Sequence, residues 1–115
     1  MTKIIHNARC SKSRNCFQIL EEKGESFEVR EYLKKPLDKE ELRGILKKLN
    51  LPAEKIIRKT EAEYKENFKD KIMSEEDWIE AMIQYPKLIQ RPILIRGDKA
   101  IIARSEEAIE AFYNE

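Results

Sequence analysis

Apolar residues along this chain recur at two different periods. Residues 3–5 form a short apolar run that ends in His6-Asn7, and Ser13, Cys16, Phe17 and Leu20 then share one face of a 3.6-residue repeat. The chain therefore opens as strand, tight turn and helix. Gly24 follows Glu21, Glu22 and Lys23 where a helix C-cap is expected, since glycine enters left-handed backbone without a Cβ clash. Residues 27–32 alternate apolar and charged side chains as a strand does.

Pro36 closes this strand-helix-strand unit. Asp38 and Glu41 have capping-box spacing, and Leu42, Ile45, Leu46 and Leu49 follow at amphipathic helix positions until Asn50 and Pro52 end the pattern. Residues 52–58 read as a short helix with proline in its first turn, and a polar stretch then runs to about Asp70. Ser74 and Asp77 repeat the capping signature before Trp78, Ile79, Met82 and Ile83, a stripe interrupted at Tyr85-Pro86. Residues 92–95 and 99–103 are β-rich runs around Arg96-Gly97-Asp98, which predicts an antiparallel hairpin. Ser105 then caps a last helix that turns Ala108, Ile109 and Phe112 inward and carries Glu106 and Glu107 in its first turn, where the helix dipole favours negative charge. The order predicts an α/β fold: a mixed four-stranded sheet flanked by helices, with a helical block at about 38–90 between its β-α-β and β-β-α parts.

Composition narrows the function. A length of 115 residues suits a single domain, 1–115, with one core and one site. Lysine and arginine total 23 against 22 acidic residues, so the net charge of +1 offers nucleic acid or an anionic membrane no general attraction. The first ten residues lack the apolar stretch of a secretory signal, and no segment approaches the roughly 20 apolar residues of a membrane span. A cytoplasmic monomer is expected, with no metal site. In that setting the two cysteines, Cys10 and Cys16, read as thiols with chemistry rather than as a structural disulfide.

Cys10 falls where the first strand meets the first helix, and open N–H groups and the positive end of the helix dipole converge there on the sulfur. Such a position lowers a cysteine pKa from about 8.5 toward roughly 3.5–7.5 and makes the nucleophilic thiolate available. Arg9, Lys12 and Arg14 add local positive charge. The hydroxyls of Ser11 and Ser13 are candidate donors to the sulfur, and His6, the sole histidine, ends the same strand. His6 and Ser13 are thus candidate thiolate-tuning residues. Cys16 lies on the apolar face with Phe17 and Leu20, and core packing is its default role. Residues 10–13 read C-x-x-S, which excludes a local dithiol pair.

The run His6-Asn-Ala-Arg-Cys10-Ser-Lys-Ser-Arg-Asn15 resembles the arsenate reductase (ArsC) family, especially its short members with H-N-P-R-C-S-K-S-R. Three later segments agree in order: Ile57-Arg58-Lys59, Pro86-Lys-Leu-Ile-Gln-Arg91-Pro92-Ile, and Arg104-Ser-Glu106. The resemblance implies a thioredoxin-like fold with a helical insertion. It further implies that Cys10 is the nucleophile, that Arg58, Arg91 and Arg104 hold the oxyanion and stabilise the thiolate, and that the Arg91-Pro92 bond is cis and faces Cys10. Guanidinium forks and helix N–H donors suit a tetrahedral dianion brought to an anionic sulfur. Ala8 replaces the family's usual proline, and Arg104-Ser105-Glu106-Glu107 replaces the frequent R-P-x-E; both changes are expected to loosen the backbone beside the site.

The implied reaction is attack of Cys10 on arsenate, loss of water, glutathionylation of the adduct, and reduction to arsenite, with glutaredoxin resolving the mixed disulfide. Glutathione enters as co-substrate and no cofactor is held. A variant scheme lets Cys16 resolve Cys10 after local unwinding, with thioredoxin as the recycling partner. From a different class, the related regulator Spx binds RNA polymerase, but its switch is a C-x-x-C pair that Ser13 breaks here.

Overall fold

A computed structural model describes residues 2–24 and 26–114. Its elements in chain order are β1 (Thr2–His6), α1 (Ser11–Lys23), β2 (Phe27–Glu31), α2 (Lys39–Leu49), α3 (Ala62–Asn67), α4 (Glu75–Gln84), β3 (Ile93–Arg96), β4 (Lys99–Ile102) and α5 (Glu106–Tyr113). Single 3-10 turns at Ala53–Ile56 and Pro86–Leu88 flank the middle helices. The chain divides into two compact units, Met1–Lys35 with Arg91–Glu115, and Pro36–Gln90.

The first unit holds the whole sheet, in the order β2-β1-β3-β4. β1 runs parallel to β2, pairing Thr2 with Phe27 through His6 with Glu31, and α1 supplies the crossover that a parallel pair requires. β3 runs antiparallel to β1, with Ile5 opposite Ile93, and the β3–β4 hairpin closes on Arg96 opposite Lys99. The turn is therefore the two residues Gly97 and Asp98 rather than the three expected, and Gly97 takes its left-handed φ of 61° without side-chain strain. One buried cluster joins Ile4 and Leu94 of the sheet with Cys16 and Leu20 of α1, Ala103, and Ile109 and Phe112 of α5. Leu94 is fully enclosed on the central β3. Leu94→Ala is expected to lower stability by about 3 kcal/mol, measured by urea denaturation, because the surrounding cluster only partly fills the void. A loss below about 1 kcal/mol would show that this cluster is not the unit's core.

The second unit is helical, as the pattern predicts, and both expected capping boxes form. The Asp38 and Ser74 side chains accept the N–H groups of Glu41 and Asp77, whose carboxylates accept the Asp38 and Ser74 N–H groups in return. Leu42, Ile45 and Leu46 of α2 and Trp78, Ile79 and Met82 of α4 are buried. Ala81 is buried as well, whereas Ile83 is only half-buried. Two expectations are corrected. The helix expected over residues 52–58 is a 3-10 turn at Ala53–Ile56 followed by Ile57 in an antiparallel bridge with Ile89, and the polar stretch contains the helix α3. That helix buries no residue fully, so it has no apolar stripe to read; instead Tyr64 stacks on Trp78 at a centroid distance of 6.3 Å. The sheet-bearing unit is the one that carries the cysteines.

Candidate active site

The register of the sheet assembles the site. Since Ile5 faces Ile93, the C-terminal end of β1, which leads into Cys10, lies beside the N-terminal entry to β3, which carries Arg91 and Pro92. The Arg91-Pro92 peptide bond is cis. Cys10 is half-buried at the N-cap of α1 in extended backbone, and Arg91 is buried.

Local hydrogen bonds shape the turn between β1 and α1. The Cys10 N–H donates to Asn7 O at 3.0 Å, and the Arg9 N–H donates to Asn7 Oδ1 at 3.0 Å. Asn7 thus folds the turn with both its backbone and its side chain, a role the sequence reading missed although asparagine after a strand is an Asx-turn signal. Ser13 Oγ accepts the Asn7 N–H at 3.0 Å and lies 2.7 Å from His6 Nδ1, ties that anchor the turn to the first turn of α1. Arg14 Nη1 donates to Ala8 O at 3.1 Å. This bond restrains the turn at the position where the expected proline is missing. Ser105 likewise takes over from the missing second proline by accepting the Ala108 N–H at 3.1 Å and starting α5.

Opposing effects act on the Cys10 thiol. Partial burial pushes its pKa up, but the Ser13 N–H, the Arg91 side chain, the Lys12 N–H and the Arg91 charge together outweigh it, so Cys10 ionises below the ordinary cysteine range. The side chain makes no cap hydrogen bond of ordinary length; the N–H groups of the open helical turn act on the larger sulfur instead. Two expectations change here. Ser13 serves the sulfur through its backbone N–H, while its hydroxyl engages His6 and Asn7. Of the cations expected near the sulfur, Arg91, which the resemblance implied, acts on it, and the side chains of Arg9, Lys12 and Arg14 do not set the Cys10 shift.

The remaining residues take distinct places. Burial lowers the His6 pKa, against an opposing effect of Glu31 and with a smaller contribution from Arg14 in the same direction as burial, so the ring is held toward its neutral form. Arg104 Nη1 donates to Arg91 O at 3.1 Å and so fixes the backbone from which Arg91 projects. Arg58 belongs to the second unit, where its Nη1 meets Glu61 Oε1 at 3.1 Å. Cys16 is fully enclosed on α1, where burial pushes its pKa up to about 12, and it packs in the core as expected.

A partly accessible thiol whose ionisation is favoured by a guanidinium and helix N–H groups suits an anionic partner. Comparison with known proteins places it in a family: the ArsC family model matches residues 5–112. The chain belongs to the ArsC family. Among its ArsC relatives, the arsenate reductase of Neisseria meningitidis (serogroup B) is 40% identical over 111 residues, 95% of each chain. The uncharacterized protein YfgD of Escherichia coli (strain K12) is 45% identical over 109 residues, 93% of this chain and 92% of YfgD. The solved arsenate reductase from Vibrio cholerae superposes with a TM-score of 0.90 at 35% identity, over 96% of this chain and 95% of that one. The mixed sheet with flanking helices is accordingly the thioredoxin-like ArsC fold.

Proposed function

We propose that the protein is an arsenate reductase-like thiol oxidoreductase in which the Cys10 thiolate attacks arsenate. The observation that carries this reading is the meeting of Cys10 with the Arg91 side chain and the Lys12 and Ser13 N–H groups. The same donors that stabilise a thiolate can hold an oxyanion that approaches it. Relatives named as arsenate reductases support arsenate as the oxyanion.

In the proposed reaction the Cys10 sulfur forms a bond to arsenic, and one arsenate oxygen leaves as water after taking two protons. A glutathione thiolate then attacks the Cys10 sulfur and forms an S–S bond. The electron pair of the S–As bond stays on arsenic, so As(V) departs as As(III) in arsenite. A glutaredoxin thiolate next attacks the glutathione sulfur of the mixed disulfide and releases the Cys10 thiolate. Arg91 acts at the reacting atoms, Arg104 joins it on the oxyanion as the family pattern implies and also holds the Arg91 carbonyl, and His6 and Ser13 position the turn. For Arg58 the oxyanion role rests on its match to the family pattern alone.

The test is the pH dependence of iodoacetamide alkylation at Cys10, with and without phosphate as an unreactive stand-in for arsenate. Alkylation should rise with pH through a midpoint below the ordinary cysteine range, because only the thiolate reacts. Bound phosphate adds negative charge beside the sulfur and disfavours ionisation, so the midpoint should move to higher pH; by linkage, phosphate should bind more weakly once the thiolate forms. A midpoint indifferent to phosphate would remove the oxyanion site from the proposal.

A further inference from the structure

In the second unit, Arg58 is held by both its backbone and its side chain. Its N–H donates to Leu88 O at 2.7 Å, the Gln90 N–H donates to Ile56 O at 2.9 Å, and Ile57 pairs with Ile89 between them, so the residue cannot shift without breaking a two-stranded bridge. The guanidinium is fixed separately. Nη1 meets Glu61 Oε1 at 3.1 Å, and the two side chains are 21% and 24% exposed, against 41% and 58% for the Lys39–Glu80 pair of the same unit. Glu61 is anchored in turn: its N–H donates to Arg58 O at 3.2 Å, and its carbonyl accepts the Tyr64 N–H at 3.1 Å where α3 starts.

Glu61 takes one corner of the fork. Among the described residues the Arg58 side chain makes no hydrogen bond beyond the one through Nη1, so the neighbouring Nε and Nη2 donors form an open two-point edge. Such an edge matches two oxygens of a tetrahedral anion. A carboxylate that served only to neutralise the arginine would bind more strongly by taking two parallel N–H groups. Glu61 instead leaves that edge to another acceptor. An arginine also has many rotamers to lose when it closes on an anion, a cost in affinity that prior restraint removes.

We propose that Glu61 is a positioning residue for the oxyanion: it grips Arg58 by one nitrogen and so presets the Nε–Nη2 edge that receives the anion. The proposal rests on the reading of Arg58 as an oxyanion arginine, and it deepens that reading by naming what orients the fork. The Glu61 charge by itself repels an anion, so the benefit of the residue lies in orientation. Substitution separates the two effects. Glu61→Gln removes the charge but keeps an oxygen that can accept from Nη1, whereas Glu61→Ala removes both.

The test compares these two variants with Arg58 present and in an Arg58→Ala background. With Arg58 present, the KM for arsenate should be about fivefold higher in Glu61→Ala than in Glu61→Gln, with kcat nearly equal, the pattern of lost binding rather than lost chemistry. With Arg58→Ala the two should share one KM, because no guanidinium remains to be oriented. A gap between them in both backgrounds, as expected if Glu61 only starts α3, or a gap in neither, overturns the proposal. Phosphate titrated onto ¹⁵N-labelled protein repeats the comparison without turnover, and its dissociation constant should show the same gap and the same loss of it. If arsenate is not reduced but phosphate gives this pattern, the positioning stands and the choice of arsenate falls. If arsenate is reduced while neither KM nor phosphate affinity separates the two variants, the positioning falls and the arsenate reading stands.

Discussion

Cys10→Ser is expected to reduce arsenite formation, in the presence of glutathione and glutaredoxin, to the level of those reagents without the protein. The sulfur has two tasks in the proposed cycle, and serine can do neither. Its hydroxyl ionises far less readily than the Cys10 thiol, whose ionisation the helix N–H groups and Arg91 favour, so the attack on arsenic is lost. Nor can oxygen form the mixed disulfide through which two electrons reach arsenic. The exchange is nearly isosteric at a half-buried N-cap where serine is a favoured residue, so circular dichroism and the thermal midpoint should remain close to those of the parent. Phosphate binding should persist or tighten, since the negative charge that opposed it is gone. Arsenite formation within tenfold of the parent would place the chemistry elsewhere in the chain.

Arg91→Ala should have the second largest effect. The side chain supplies both a hydrogen bond and a positive charge to Cys10, and without them burial is opposed only by the N–H groups of Ser13 and Lys12. The Cys10 titration should therefore move to higher pH, and less thiolate should be present at neutrality. The oxyanion loses a preorganised donor at the same time, which costs roughly 100- to 1,000-fold in kcat/KM where such donors have been removed. Arg91 is buried and anchored through its carbonyl by Arg104, so Arg91→Lys serves as the companion variant that keeps the charge. Lysine restores attraction to the thiolate but lacks the planar two-point fork, and should recover the alkylation midpoint more fully than the turnover of arsenate. A Cys10 midpoint unmoved in both variants would show that the helix terminus alone activates the sulfur.

Much of the architecture was legible because it follows from local rules. Alternation in residues 27–32, the 3.6-residue stripes of α1, α2 and α4, two capping boxes and a glycine turn each leave a mark within a few residues. α3 left none: it is six residues long, buries no side chain fully, and engages Trp78 of α4 through Tyr64. At the site, the place of Cys10 before a helix was legible, and the family motif pointed to Arg91. The donors around the sulfur were harder to assign, because residues close in sequence are not thereby close to one another in space. The Arg14 guanidinium reaches back to Ala8 O, and the Ser13 hydroxyl turns to His6, whereas both were expected to serve Cys10.

The sequence by itself determined the elements, the strand-helix-strand opening that puts a cysteine at a helix N-terminus, and the absence of a dithiol pair at residues 10–13. Tertiary structure decided which cation meets that cysteine, which atoms of Ser13 act on it, and how deeply Cys16 is enclosed. The reason is the reach of the interactions involved. Periodicity and capping act over about four residues, whereas Cys10 and Arg91 meet only because antiparallel pairing of β1 with β3 sets Ile5 against Ile93.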